Sequence, residues 1–379
     1  RVRPRLYNDL AASAPHLNAT NTWGLWGLTG AGQVAGHADT GLDNGTTNDI
    51  HPDFRDRIAA AFARGRTNDW SDPDGHGTHT AGSLVGDGSM SGGRYRGIAH
   101  GASIAHQSVA RADGGLTGLG DDLNELFGQT YAVGARVHSD SWGSDVSGEY
   151  TDDSRQADEF AWDHPDHLAV FASGNAGLDG DDDGVIDAGA VGSPATAKNV
   201  LAVGATENDR PPGSGGYSSY EYGTGSWEPD YPVNPIHDDW VSWSATTNPY
   251  AQGMAAFSSR GPAADGRIKP DVTAPGTDIL SCRSRVATST GWGVAPESTN
   301  YMFNGGTSMA TPLAAGAALL MRQYAVERAG LTNPSAALVK AMLVGGARSL
   351  APGQYGTGAE QEIPFASPNA VEGWGQIDV

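Results

Sequence analysis

Three short glycine-rich segments, far apart in the chain, constrain the fold more than any other feature: Ala38-Asp39-Thr40-Gly41, Gly75-His76-Gly77-Thr78-His79 and Gly306-Thr307-Ser308-Met309-Ala310-Thr311-Pro312. They supply one carboxylate, one imidazole and one hydroxyl, each beside residues that keep backbone crowding low. A fold that uses all three must gather distant parts of a 379-residue chain at one place. Open parallel sheets do so, because functional groups collect at the C-terminal edge of their strands. Residues 32–38 read as a short buried strand with Asp39 at its C-terminal end, and 136–141, 168–172 and 200–204 read as further strands. Residues 79–85, 116–134, 308–328 and 335–344 have helical spacing. Strands alternating with helices predict an α/β fold, a mostly parallel sheet with helices on both faces.

The chain is long enough to bury a large core, and it is predicted to form a single domain over residues 1–379. Residues 1–20 read as an arm packed on the surface. Residues 207–254 lose all periodicity and turn to Gly, Ser, Pro, Tyr and Trp, which predicts a surface insertion. The net charge of −21 disfavours nucleic acid and anionic membranes as partners and favours capture of divalent cations. Cys282 is the one cysteine, so no intrachain disulfide forms. No apolar run approaches a membrane span. The sequence starts at Arg1 with no leader segment, which predicts a processed, secreted and monomeric protein.

The residue types narrow the chemistry. A pair of carboxylates sharing a proton needs a second Asp-Thr-Gly or Asp-Ser-Gly, and Asp39-Thr40-Gly41 has no second copy. His76 and His79 are three apart with no Glu between, so they do not match the zinc-binding His-Glu-x-x-His helix, and His79 is predicted to be structural. A serine nucleophile with an oriented base remains, with Ser308 at the mouth of a helix. Its order along the chain is Asp, His, Ser, which differs from the chymotrypsin and α/β-hydrolase orders. Separately, Asp179, Asp181, Asp183, Val185 through its carbonyl, and Asp187, with Gly184 at the turn, follow the first nine positions of an EF-hand-type calcium loop. The twelfth position is Ala190 rather than Glu, so Ca2+ is the predicted cofactor with an incomplete loop.

A fourth segment, Ala172-Ser173-Gly174-Asn175-Ala176-Gly177, lies between the His and Ser segments. Together the four resemble, over residues 32–375, the subtilisin-like serine protease family (subtilases), in pattern closest to its bacterial alkaline members. The resemblance implies a three-layer fold around a parallel sheet of about seven strands. It also implies a serine endopeptidase acting on proteins and peptides, with Asp39, His76 and Ser308 catalytic and Asn175 donating to the oxyanion. Substrate would lie as an added strand between Gly114-Gly115 and Ser141-Trp142-Gly143, close to Ser173 and Gly174. Gly192 would sit at the base of the main specificity pocket and admit large apolar residues. His51-Pro52-Asp53-Phe54 resembles the segment that carries another calcium-binding aspartate in the family, although residues 86–96 show no recognisable partner loop. The alternatives are a non-catalytic calcium-binding module on the same fold, and a peptide ligase or transesterase.

Overall fold

The computed structural model describes residues 11–13, 16–181, 185–208, 253–353, 357–358 and 361–379. More than half of the predicted arm, most of the 207–254 insertion, and Asp183 with Gly184 lie outside the described residues.

Seven strands form the central sheet: β1 (Val34–Asp39), β2 (Ile58–Ala63), β3 (Ser103–Ser108), β4 (Val137–Asp140), β5 (Leu168–Ala172), β6 (Leu201–Thr206) and β7 (Val272–Pro275). They lie in the order β2-β3-β1-β4-β5-β6-β7, and every neighbouring pair is parallel. Such a sheet is covered on both faces, so its inner strands are buried on both sides. In β5, Leu168 and Val170 join the core under the long Thr307–Glu327 helix, while Ala169 and Phe171 join Leu126, Phe127 and Phe160 on the other side. The His76–Val85 and Ala336–Gly346 helices pack with the long helix, and the Leu123–Tyr131 and Asp152–Asp163 helices cover the opposite face. Each large apolar side chain buried this way contributes about 1.5–3 kcal/mol. A second, antiparallel sheet of β8 (Ile279–Cys282), β9 (Gly293–Val294) and β10 (Tyr301–Asn304) packs against the His76 helix and leads into the Ser308 segment.

The helix predicted over 116–134 is shorter. A 3-10 turn, Thr117–Leu119, ends at Gly120 with φ of 81°, and the α-helix begins only at Leu123. Asp122 caps it by accepting from Asn124 N at 2.9 Å. The strand from Ile58 and the strand from Ser103 had no sequence counterpart among the predicted elements. The first is rich in alanine, and the second carries His106, Gln107 and Ser108, which are fully buried.

Candidate active site

Asp39 closes β1 at the C-terminal edge of the sheet, and the His76–Val85 helix starts beside it. The approach is tight: a Cβ on Gly77 would lie 2.3 Å from the Gly41 carbonyl and 3.1 Å from Asp39 Cβ, so only glycine lets the helix seat here. The Oδ1 atom of Asp39 accepts from His76 Nδ1 and from Thr40 N, both at 2.7 Å, and Oδ2 accepts from Thr80 Oγ1 at 3.0 Å. Holding the Nδ1 proton on Asp39 leaves the His76 Nε2 lone pair free when the ring is neutral.

Burial opposes charge on both partners, yet each shifts towards its ionised form. Asp39 is only 3% exposed, and the His76 charge and hydrogen bond hold its pKa well below the usual carboxylate range despite burial. Burial pulls His76 down, but Asp39 outweighs it and raises the pKa to about 9.

Asp72 anchors the pair from behind. Fully buried, it accepts from Thr40 Oγ1 and Gly75 N on one oxygen, and from the N and Oγ1 of Thr78 on the other, at 2.6–2.9 Å. Thr40 Oγ1 in turn accepts from Gly77 N at 2.8 Å. Sequence reasoning missed this residue; a carboxylate four residues before His76, just ahead of the helix that His76 opens, was its only signal.

Ser308 enters the site on the first turn of the Thr307–Glu327 helix, after Gly306 with φ of 138°. Pro312 lacks the N–H that would bond the Ser308 carbonyl four residues earlier. Ser141 Oγ takes that place and donates to Ser308 O at 2.8 Å. The Ser308 hydroxyl donates to Ser141 O at 3.1 Å, so this hydroxyl rests against the loop after β4 rather than on His76. Asn175 Oδ1 accepts from Thr307 N at 2.8 Å and Thr307 Oγ1 at 2.9 Å, which fixes the amide with its Nδ2 next to Gly306. The Ser308 N–H, in the first turn, has no carbonyl four residues before it inside the helix. Two donors therefore stand beside one hydroxyl.

Asp39, His76, Asn175 and Ser308 line one cleft of about 620 Å³. Gly114, Ser141, Trp142, Gly143, Gly174 and Gly192 line it too. Gly115 and Ser173 do not: Gly115 is exposed beyond the rim with its N–H on Asp113, and Ser173 is fully buried under the wall. Leu116 stands where Gly115 was expected, and Ser144, Asp145 and Asp74 complete the wall with two carboxylates not anticipated there. Trp142 is fixed by its indole N–H on Ala38 O at 3.1 Å and by an edge contact with Phe171. A Cβ on Gly192 would approach Ser144 O to 2.8 Å, so backbone, not open space, demands glycine there. His79 has the structural place expected of it, wholly buried with Nε2 against Ile279 O at 2.9 Å.

The two acidic segments diverge. In the 179–187 segment Asp179 is buried, and Asp187 Oδ2 accepts from Gly180 N at 2.9 Å, which folds the run back on itself. Asp179, Asp181, Asp187 and the Val185 carbonyl offer hard oxygen donors, the chemistry calcium selects. Around Asp53 the carboxylate is held by side-chain and backbone donors. Its Oδ1 accepts from Ser89 Oγ and Met90 N at 3.1 Å, and its Oδ2 from Tyr301 OH at 2.8 Å and Cys282 Sγ at 3.4 Å. The same carboxylate lies with His51 and the Cys282 thiol in a buried group whose ligand atoms fall within 4.8 Å of one another. Residues of the 86–96 segment do reach Asp53, but as donors.

Residues 30–375 match the family model described as Subtilase family. The chain belongs to the subtilase family. As a subtilase it carries a subtilisin-like serine endopeptidase unit, and subtilases generally bind calcium. The chain is 30% identical to the serine protease/ABC transporter B family protein tagD of Dictyostelium discoideum, over 92% of this chain and 22% of that protein. It is 30% identical to serine protease AprX of Bacillus subtilis over 83% of this chain and 62% of AprX. It is 29% identical to a subtilisin of Bacillus sp. TA39, over 66% of this chain and 63% of that protein. The chain thus spans about a fifth of the length of the Dictyostelium relative. Among the described residues no helix is long and apolar enough to cross a membrane.

Proposed function

We propose that this subtilase hydrolyses peptide bonds of proteins with Asp39, His76 and Ser308 as its triad. The observation that carries the reading is the Asp39–His76 bond at 2.7 Å in the same cleft as Ser308 and Asn175. A turn about the Ser308 Cα–Cβ bond moves the hydroxyl from Ser141 O towards His76 Nε2, the kind of tightening that follows substrate binding. Ser308 Oγ then attacks the carbonyl carbon while His76 Nε2 takes its proton. Asn175 Nδ2 and the Ser308 N–H receive the oxyanion, His76 returns the proton to the leaving amine, and water releases the acyl group by the same steps. Because His76 must be neutral to accept the proton, its raised pKa sets an alkaline working range.

Substrate binds as an extended strand against the Gly114–Leu116 rim and the Ser141-Trp142-Gly143 segment. Leu116 and Trp142 favour large apolar residues, and Asp74 and Asp145 repel acidic side chains close to the scissile bond. Calcium, held by Asp179, Asp181, Asp187 and the Val185 carbonyl, supplies rigidity to the segment that follows Asn175, in the calcium-rich surroundings of a secreted enzyme. The working unit is the single domain 1–379 with its 1–20 arm and 207–254 insertion. The test is labelling by an active-site phosphonate with hydrolysis of a peptide library. The wild type labels at Ser308 and cleaves after large apolar residues, and Ser308→Ala does neither; an unlabelled, inert wild type with calcium at alkaline pH overturns the reading.

A further inference from the structure

A line of buried polar side chains runs behind Asp39, away from the cleft. His37 lies two residues before Asp39 on β1, on the same face of the strand, directly opposite His106 of β3 in the parallel register. Both rings are fully buried. His37 Nδ1 meets His106 Nδ1 at 2.9 Å, and His37 Nε2 meets Thr80 Oγ1 at 3.0 Å. Thr80 stands one helical turn after His76, and its hydroxyl reaches the Asp39 oxygen that His76 does not use, at 3.0 Å.

Proton counting gives this line a direction. The Thr80 hydroxyl has one proton and also lies near the carbonyls of His76 and Gly77, at 3.2 and 3.1 Å. The ionised carboxylate is the strongest acceptor of the three, and it has no proton to offer in return. With the hydroxyl proton on Asp39, His37 Nε2 must carry a proton and donate to Thr80. His37 Nδ1 is then an acceptor, so His106 Nδ1 must donate to it. His106 Nε2 is left bare, and it is indeed a buried nitrogen with no partner. Burial keeps both rings neutral at working pH, lowering the His37 pKa to about 4 and holding that of His106 well below its ordinary value. The titratable groups around the pair are Asp39 on β1, His138 on β4 and His76 on the helix, and Asp72 and Asp74 face His76.

We propose that Thr80, His37 and His106 are positioning residues for the triad: three donors in series, His106 to His37 to Thr80 to Asp39, that fix the carboxylate and set how strongly it holds the His76 proton. This rests on the reading of Asp39 and His76 above. Aligned hydrogen bonds polarise one another, so the effect of each member falls with its distance from Asp39.

The test compares Thr80→Val, Thr80→Ser, His37→Leu, His37→Gln and His106→Leu, each checked for a folded state by circular dichroism and thermal melting. Thr80→Val loses a donor to a charged group and lowers kcat about tenfold, with KM within about twofold. It shifts the acid limb of kcat/KM to higher pH, because a carboxylate with one donor fewer binds the imidazolium more tightly. Thr80→Ser restores both. His37→Leu gives a smaller loss, His106→Leu the smallest, and His37→Gln, whose amide donates where Nε2 did, stays near wild type. The resonance of the proton between His76 and Asp39 moves in the same order, and it is read without substrate. An inert wild type therefore defeats the proteolytic reading while the resonance still tests the chain. Folded Thr80→Val with unchanged kcat, acid limb and resonance overturns the proposal, as does a Thr80→Ser variant equal to Thr80→Val. If Thr80→Val does not fold, equal behaviour of His37→Leu and His37→Gln overturns it.

Discussion

Two histidines flank one carboxylate, and the difference between them shows how the same ring is given opposite tasks. His76 keeps about 26% of its side chain exposed and bonds Asp39 at 2.7 Å, while His37 is wholly buried with its Nε2 3.8 Å from the other oxygen. Burial lowers the proton affinity of both. For His76 the direct bond to Asp39 wins, and its pKa rises to about 9. For His37 the same charge acts without a hydrogen bond, burial wins, and the pKa falls to about 4. A direct hydrogen bond decides whether imidazole serves as a proton acceptor poised on the alkaline side or as a neutral donor within a core.

The strongest way to break this contrast is to remove the charge that creates it. Asp39→Asn is expected to lower kcat/KM by about 10⁴, the scale seen when the acid of a serine triad becomes an amide. It should also bring the His76 pKa down, read as an acid limb moved to lower pH; an unchanged limb would detach Asp39 from His76. Asn175→Ala tests a wall residue outside the proton network. Its kcat should drop roughly a hundred- to a thousandfold, as loss of such a donor does in subtilisin, with the acid limb left in place. A limb displaced by that change would show that the network extends further than the hydrogen bonds described.

The smallest effect concerns stability. His37, with a folded pKa near 4 against an unfolded value of 6.5, is neutral in the native core, so unfolding takes up a proton below 6.5. Its contribution is full above pH 6.5 and declines as pH falls towards 4. His76 runs the other way: its contribution is present below 6.5 and is lost as pH rises through about 9. Urea midpoints measured from pH 4 to 10 in wild type and His37→Leu should differ in slope only below about 6.5. A difference confined to the alkaline side would reverse the assignment of the two rings.

Much of the fold was legible because apolar runs such as Leu168–Ala172 leave little choice other than a strand buried on both faces. The four glycine-rich segments announced the site for a related reason. Gly77 and Gly192 stand where backbone atoms approach within van der Waals contact, and that requirement is written in residue type alone. What stayed hidden depends on partners rather than on pattern. β3 reads as polar until His106 meets His37 on the neighbouring strand and Gln107 Nε2 donates to Leu126 O of the covering helix at 2.9 Å. Asp72 looked like any acidic turn residue, because the donor that ties it to the triad, Thr40 Oγ1, lies 32 residues away and only folding brings it near. Gly115 and Ser173 were each one step off the cleft wall, a shift set by loop geometry that spacing does not specify.

The corner around Asp53 carries a consequence for how the enzyme fails. Tyr301, Cys282, Ser89 and Met90 all donate to that one carboxylate, which joins the 86–96 loop to the second sheet. A change at that acid is therefore felt at once by the 86–96 loop and by the second sheet behind His76, because both are fastened to the same buried group.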